Sequence, residues 1–176
     1  MIIEPKYNVG IDTEILRIQR ILDELDYSDL HIYGRIQPTQ KGKETANNNM
    51  TIAEVYTEKG EYRDVFIDDT KGGVIGFEVI DRVYNLRWQS TVDIIFTINL
   101  DLAGIKGERY DEVFLTDAVS ILQANGINIK GVKEGVEDVF SSFETGGYTH
   151  RDMQPNFVFS IEIDLFYSTN IECNIN

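Results

Sequence analysis

"STVDIIFTINLDLA", residues 90–103, is the most regular stretch of the chain. Its alternate positions carry the apolar side chains Val92, Ile94, Phe96, Ile98, Leu100 and Leu102. The positions between them are polar except for Ile95. Successive side chains of a β-strand point to opposite faces of the sheet. The alternation therefore predicts a long strand, residues 91–102, that is buried on one side.

The same pattern returns in "NFVFSIEIDLFYS", residues 156–168, and predicts a closing strand. Helical spacing of apolar side chains predicts a helix at residues 13–26, capped by Asp12 or Thr13. A second helix is predicted at residues 111–125. Gly126 follows it, and glycine readily adopts the left-handed backbone conformation that is common just beyond the end of a helix. The apolar stripe of this second helix consists of Val113, Phe114, Ala118, Ile121 and Leu122.

Shorter elements occupy the rest of the chain. "LHIYGRIQP", residues 30–38, predicts a strand that ends at Pro38, because proline cannot donate to a strand ladder. Residues 39–49 are almost wholly polar and predict a loop. A glycine-containing turn between two alternating runs predicts a projecting hairpin at residues 51–67. An extended segment is predicted at residues 74–83. A strand is predicted at residues 127–133, and a short third helix at residues 134–143.

Together these patterns predict an α+β fold in a single domain of 176 residues. We expect an antiparallel sheet with two main helices on one face, a short third helix and the projecting hairpin. The domain would consist of an N-terminal arm at residues 1–11, a core at residues 12–168 and a C-terminal tail at residues 169–176.

Composition limits the classes of function. The formal net charge of −14 argues against wrapping nucleic acid, since that binding is driven by cations that replace counterions on phosphates. The sequence contains no run of about 18 apolar residues, so that no membrane span is predicted. The first residues lack the pattern of a secretory signal. The single cysteine, Cys173, cannot form an internal disulfide, which favours a reducing compartment.

Two short motifs resemble nucleotide chemistry but fail its requirements. "HRD", residues 150–152, is followed by Asn156, four residues after the aspartate, whereas the kinase catalytic loop places that asparagine five residues after it. No glycine-rich loop precedes the motif. "QKGKET", residues 40–45, lacks the first glycine of a phosphate-binding loop and has Glu44 after its lysine. We interpret both motifs as ordinary loops.

Metal and catalytic sites are not predicted either. The carboxylate pairs Asp68-Asp69 and Glu137-Asp138 lack the spaced oxygens of a calcium loop. His31 and His150 have no nearby cysteine or histidine to complete a zinc site. We therefore expect a protein without catalytic residues, cofactor or bound metal.

The order of elements resembles the tail-terminator and tail-completion proteins of tailed bacteriophages, and related ring proteins of the head–tail neck. The likeness covers residues 12–168. It is carried by "HIYGRIQP", "TVDIIFTINLDLAG", "RYDEVFLTDAVSILQANG", "VEDVFSSFE" and "NFVFSIEIDLFYS". One departure is the segment at residues 68–89, which is longer than the corresponding connection in that family.

This resemblance implies a homo-oligomeric ring in a virion that assembles in the host cytoplasm. The ring would contact other neck, portal or tail proteins, and DNA would pass its acidic lumen without specific binding. Membrane association is not expected. Aromatic residues and arginine carry most of the energy of buried interfaces. The candidate residues of the subunit interface are Tyr33, Arg35, Tyr56, Tyr62, Asp68 and Asp69.

Two alternatives remain open. One is a non-catalytic module that binds a small ligand or a protein in a pocket between the helix at residues 111–125 and the sheet. The other is a hydrolase or transferase that uses Asp93, Asp101 or Glu162 on the polar face of the sheet. Strongly shifted carboxylate pKa values in one cleft would favour the enzyme.

Overall fold

The computed structural model describes residues 1–4, 9–42, 49–57, 61–64, 70–105, 109–145 and 155–168. The helices are α1 (Ile11–Leu22), α2 (Tyr110–Ala124) and α3 (Val136–Val139). The strands are β1 (Leu30–Gly42), β2 (Asn49–Thr57), β3 (Glu61–Asp64), β4 (Gly73–Asn85), β5 (Arg87–Asn99), β6 (Ile129–Glu134) and β7 (Asn156–Tyr167). None of the described helices is long and apolar enough to cross a membrane.

The described strands form one seven-stranded sheet in the order β3-β2-β1-β4-β5-β7-β6. The α+β class is confirmed. Neighbouring strands are antiparallel except β1 and β4, which run in the same direction and make the sheet mixed. The long strand and the closing strand lie side by side, and β5 pairs with β7 from Trp88–Tyr167 to Asn99–Asn156.

Helices α1 and α2 cover one face of the sheet and form its larger core. The rings of Phe96 and Phe159 stack there with centroids 4.4 Å apart, and Phe114 of α2 meets both rings edge-on. The predicted stripe of α1 is confirmed, because Ile15, Ile18, Ile21 and Leu22 are all buried. The helix begins at Ile11 after Gly10, however, and no side chain caps it.

The opposite face is also buried over part of its area, which corrects the expectation of a single apolar face. Ile95, the one exception to the alternation of β5, packs there with Val158 of β7 and with Val136, Val139 and Phe140. The third helix is therefore confirmed, although it is only four residues long. Its position opposite α1 and α2 gives the protein two cores separated by the sheet.

Strand β1 does not end at Pro38 but continues to Gly42. Its pairing with β4 ends at Arg35, and residues 36–42 pair with β2, so that one side of the strand is free of a described partner at Pro38. A residue without an N–H is tolerated at such a position. The predicted loop at residues 39–49 is therefore wrong at both ends, because residues 39–42 belong to β1 and residue 49 begins β2. Residues 43–48 lie outside the described residues.

The predicted hairpin at residues 51–67 is confirmed as the antiparallel pair β2–β3, whose residues 58–60 and 65–67 are not described. Its first strand is part of the sheet, because Ala53 and Val55 are buried in the second core. Another hairpin, formed by β4 and β5, has an exposed tip. Residues 80–87 are exposed along it, and Leu86 alone separates the two strands.

The described part of the predicted N-terminal arm lies on the sheet. The amide of Ile3 donates to the carbonyl of Ile32 at 2.9 Å, and the amide of Ile32 donates to the carbonyl of Met1 at 2.9 Å. The buried side chain of Gln19 reinforces this contact, since its Nε2 donates to the carbonyl oxygens of Ile3 and Ile32. Residues 1–4 therefore extend the ladder of β1 and do not project.

Candidate functional site

Two of the six predicted interface residues have structural roles within the subunit. The Tyr33 side chain is buried, and its hydroxyl accepts a hydrogen bond from Lys71 Nζ at 3.0 Å. Arg35 joins β1 to α1 through an ion pair with Asp12, with 2.7 Å between Nε and Oδ1. Tyr33 is buried in the second core of the subunit, and its role in a subunit interface stays a prediction.

The other four predicted interface residues stay untested. Tyr56 and Tyr62 are direct cross-strand partners in the β2–β3 hairpin, where the description covers their backbone alone. Asp68 and Asp69 lie outside the described residues, as do the "HRD" motif at residues 150–152 and the tail at residues 169–176. The described residues therefore do not bring the predicted set together into one site.

The strongest exposed apolar surface lies on the β4–β5 hairpin and the adjoining end of β7. We call it the tip surface, and it consists of Ile80, Val83, Tyr84, Leu86 and Phe166. Leu86 is 94% exposed and Tyr84 is 64% exposed. Both values are high for large apolar side chains that lie next to one another. The tip surface was not predicted, since the sequence patterns end the flanking strands at residues 83 and 91.

An aromatic ladder ties the tip surface to the body. The rings of Tyr84 and Trp88 lie 5.1 Å apart, and the rings of Trp88 and Tyr167 are stacked at 6.4 Å. These three residues are directly opposite one another on β4, β5 and β7. Cross-strand aromatic pairs of this kind stabilise a sheet. The hairpin is therefore held as a continuation of the sheet and not as a loose loop.

The tip of the hairpin carries one more basic than acidic residue in an acidic chain. Residues 79–91 contain one acidic residue, Asp81, and two basic residues, Arg82 and Arg87. The guanidinium of Arg87 lies 4.2 Å from the centre of the Phe166 ring. Among the described residues, neither arginine side chain forms an ion pair. The tip surface thus combines exposed apolar area with a small excess of positive charge, although the whole chain carries −14.

A row of three carboxylates crosses the face of the sheet that carries α3. Glu78 of β4 is directly opposite Asp93 of β5, and Asp93 is directly opposite Glu162 of β7. Lys133 of β6 donates from Nζ to Asp93 Oδ2 at 2.6 Å. Lys130 lies 3.3 Å from Glu162. The carboxylate row is therefore partly neutralised by two lysines of the edge strand.

Burial, followed by the negative charge of Asp93, raises the pKa of Glu78 to about 6. The hydrogen bond to Asp93 raises the pKa of Lys133, so that this lysine stays charged and cannot act as a general base at neutral pH. Asp93 Oδ1 and Ser160 Oγ are buried nearby and have no hydrogen-bond partner among the described residues. The three carboxylates and the two lysines thus form a network of charges on this face of the sheet.

The carboxylate row contains two of the three acids that the enzyme hypothesis named. Asp93 and Glu162 do meet, but Asp101 lies exposed in the turn beyond β5. Glu78 and Lys133 were missed, because cross-strand register is not visible in the sequence of either strand. The described residues contain no group of three or more histidine, cysteine or acidic side chains that could hold a metal ion.

The outer face of α2 carries a shallow groove of about 310 Å³. Its lining consists of Arg109, Glu112, Val113, Thr116 and Asp117. Val113 is 48% exposed there, so its assignment to the buried stripe was wrong. The alternative hypothesis placed a ligand pocket between α2 and the sheet, where the fully buried ring of Phe114 packs against Phe159.

The fold and its surfaces define an α+β protein with a partly covered sheet, a hairpin with an exposed apolar tip and a shallow groove on α2. Comparison of the chain with protein families, with curated proteins and with solved structures finds no match in any of the three.

Proposed function

We propose that this protein is a non-catalytic structural subunit that assembles with copies of itself into a ring. The observation that carries the proposal is the tip surface, where four large apolar side chains of the β4–β5 hairpin and Phe166 of β7 are exposed. Large exposed apolar surface marks interaction sites in soluble proteins. Its burial against another subunit would remove that area from water and favour association.

The resemblance to tail-terminator and tail-completion proteins gives the ring its setting. We propose a place at the head–tail junction or tail end of a tailed phage, next to neck, portal or tail proteins. The net charge of −14 supports this role, because an acidic lumen lets DNA pass without specific binding. The protein would then act in the virion after assembly in the host cytoplasm.

A non-catalytic binding module is the second candidate, and the α2 groove favours it. Its volume of about 310 Å³ is at the lower limit of ligand pockets, and most of its lining residues are polar or charged. Such a groove suits a protein side chain better than a small apolar ligand. For this reason we rank the assembly subunit first.

Native mass spectrometry and negative-stain imaging of the purified chain test the proposal. We expect a closed oligomer with a central hole for the wild type, and a folded monomer for the double variant Tyr84→Ser/Leu86→Ser. Leu102→Ser is the matched control, because Leu102 is 45% exposed but lies in the turn at the other end of β5. A wild type that stays monomeric at about 1 mM would reject self-assembly. Its association free energy would then be weaker than about 4 kcal/mol.

A further inference from the structure

We draw no further inference here: the strongest candidate, the exposed apolar surface at the tip of the β4–β5 hairpin around Tyr84 and Leu86, carries nothing beyond the proposed function, because nothing among the described residues shows what covers it.

Discussion

Glu78 and Asp93 lie directly opposite each other on β4 and β5, with both carboxylates on the face that carries α3. Like charges at such positions destabilise a sheet. Asp93 accepts a hydrogen bond from Lys133, whereas burial, followed by the negative charge of Asp93, raises the pKa of Glu78. The pair therefore couples the stability of the sheet to pH.

Glu78→Gln should stabilise the protein at neutral pH and have little effect near pH 4.5. The pKa of Glu78 is raised from 4.5 to about 6, so the folded state takes up a proton more readily than the unfolded state. Its contribution to stability is thus lost as pH rises from about 4.5 to about 6. We expect a gain of about 1 kcal/mol in unfolding free energy at pH 7.5, allowing for partial exposure.

Urea denaturation at pH 4.5 and pH 7.5 measures this effect. Glu134→Gln removes the same charge from an exposed position at the end of β6 and is the control. An equal gain in both variants would mean that the effect comes from overall charge and not from the Glu78–Asp93 pair.

Lys133→Met should destabilise the protein by about 2 kcal/mol, because it leaves the buried carboxylate of Asp93 without its cation. The loss should shrink in Lys133→Met/Asp93→Asn, since the double variant removes the unpaired charge. Lys130→Met is the matched control on the same strand and should leave stability nearly unchanged. Denaturant midpoints of the four proteins check this, and a double variant no better than Lys133→Met would contradict the assignment.

Phe114→Ala should lower the unfolding free energy by about 3–5 kcal/mol, because the ring is fully buried between Phe96 and Phe159. The neighbouring substitution Val113→Ala should cost less than about 0.5 kcal/mol, since Val113 faces the groove. Chemical denaturation of both variants measures the difference. Similar losses at the two positions would show that α2 is rotated about its axis relative to this structure.

Gly76→Ala tests the packing of β4 against β1 and β2. A Cβ atom at Gly76 would lie 2.9 Å from Ile36 Cγ1 and 3.5 Å from Val55 Cγ1, in the second core. We expect a loss of about 1–3 kcal/mol through overpacking. A Cβ at Gly131 on β6 meets nothing within 4 Å, so Gly131→Ala should be close to neutral. A neutral Gly76→Ala, measured by thermal and urea denaturation, would contradict this placement of β2.

Leu86→Asn should stabilise the isolated subunit while weakening assembly. Asparagine tolerates the left-handed backbone at the turn better than leucine does, which should add about 1 kcal/mol to the unfolding free energy of dilute monomer. The same change removes the most exposed apolar side chain from the tip surface. Denaturation of dilute monomer and sedimentation of concentrated protein measure the two effects. If stability and assembly both increased or both decreased, Leu86 would not have separate roles in backbone strain and in subunit contact.

The sequence predicted the elements with regular periodicity and missed the features that depend on register. The alternation of β5 and β7 and the spacing of α1 and α2 were sufficient to predict a sheet covered by helices. Ile95 broke the alternation, and that exception marked the second core, which was nevertheless not predicted. Pro38 was read as a strand end, although in the fold one side of β1 lacks a described partner there.

The candidate surfaces were harder to predict for the same reason. Glu78, Asp93 and Glu162 are far apart in sequence, and only the pairing of three strands places them in one row. Arg82 and Leu86 gave no signal, because exposure at a hairpin tip depends on where the rest of the sheet ends. Tyr33 was chosen for its residue type, and its burial follows from a core formed by distant elements.

Strand β6 forms one edge of the described sheet, and its composition limits how copies can meet. It is six residues long, its register with β7 shifts between Ile129 and Gly131, and it carries Lys130 and Lys133. Short, irregular and lysine-bearing edges resist the addition of a strand from another molecule. Subunits held at high local concentration can therefore remain discrete at this edge, protected from the continuous sheet growth that leads to fibrils.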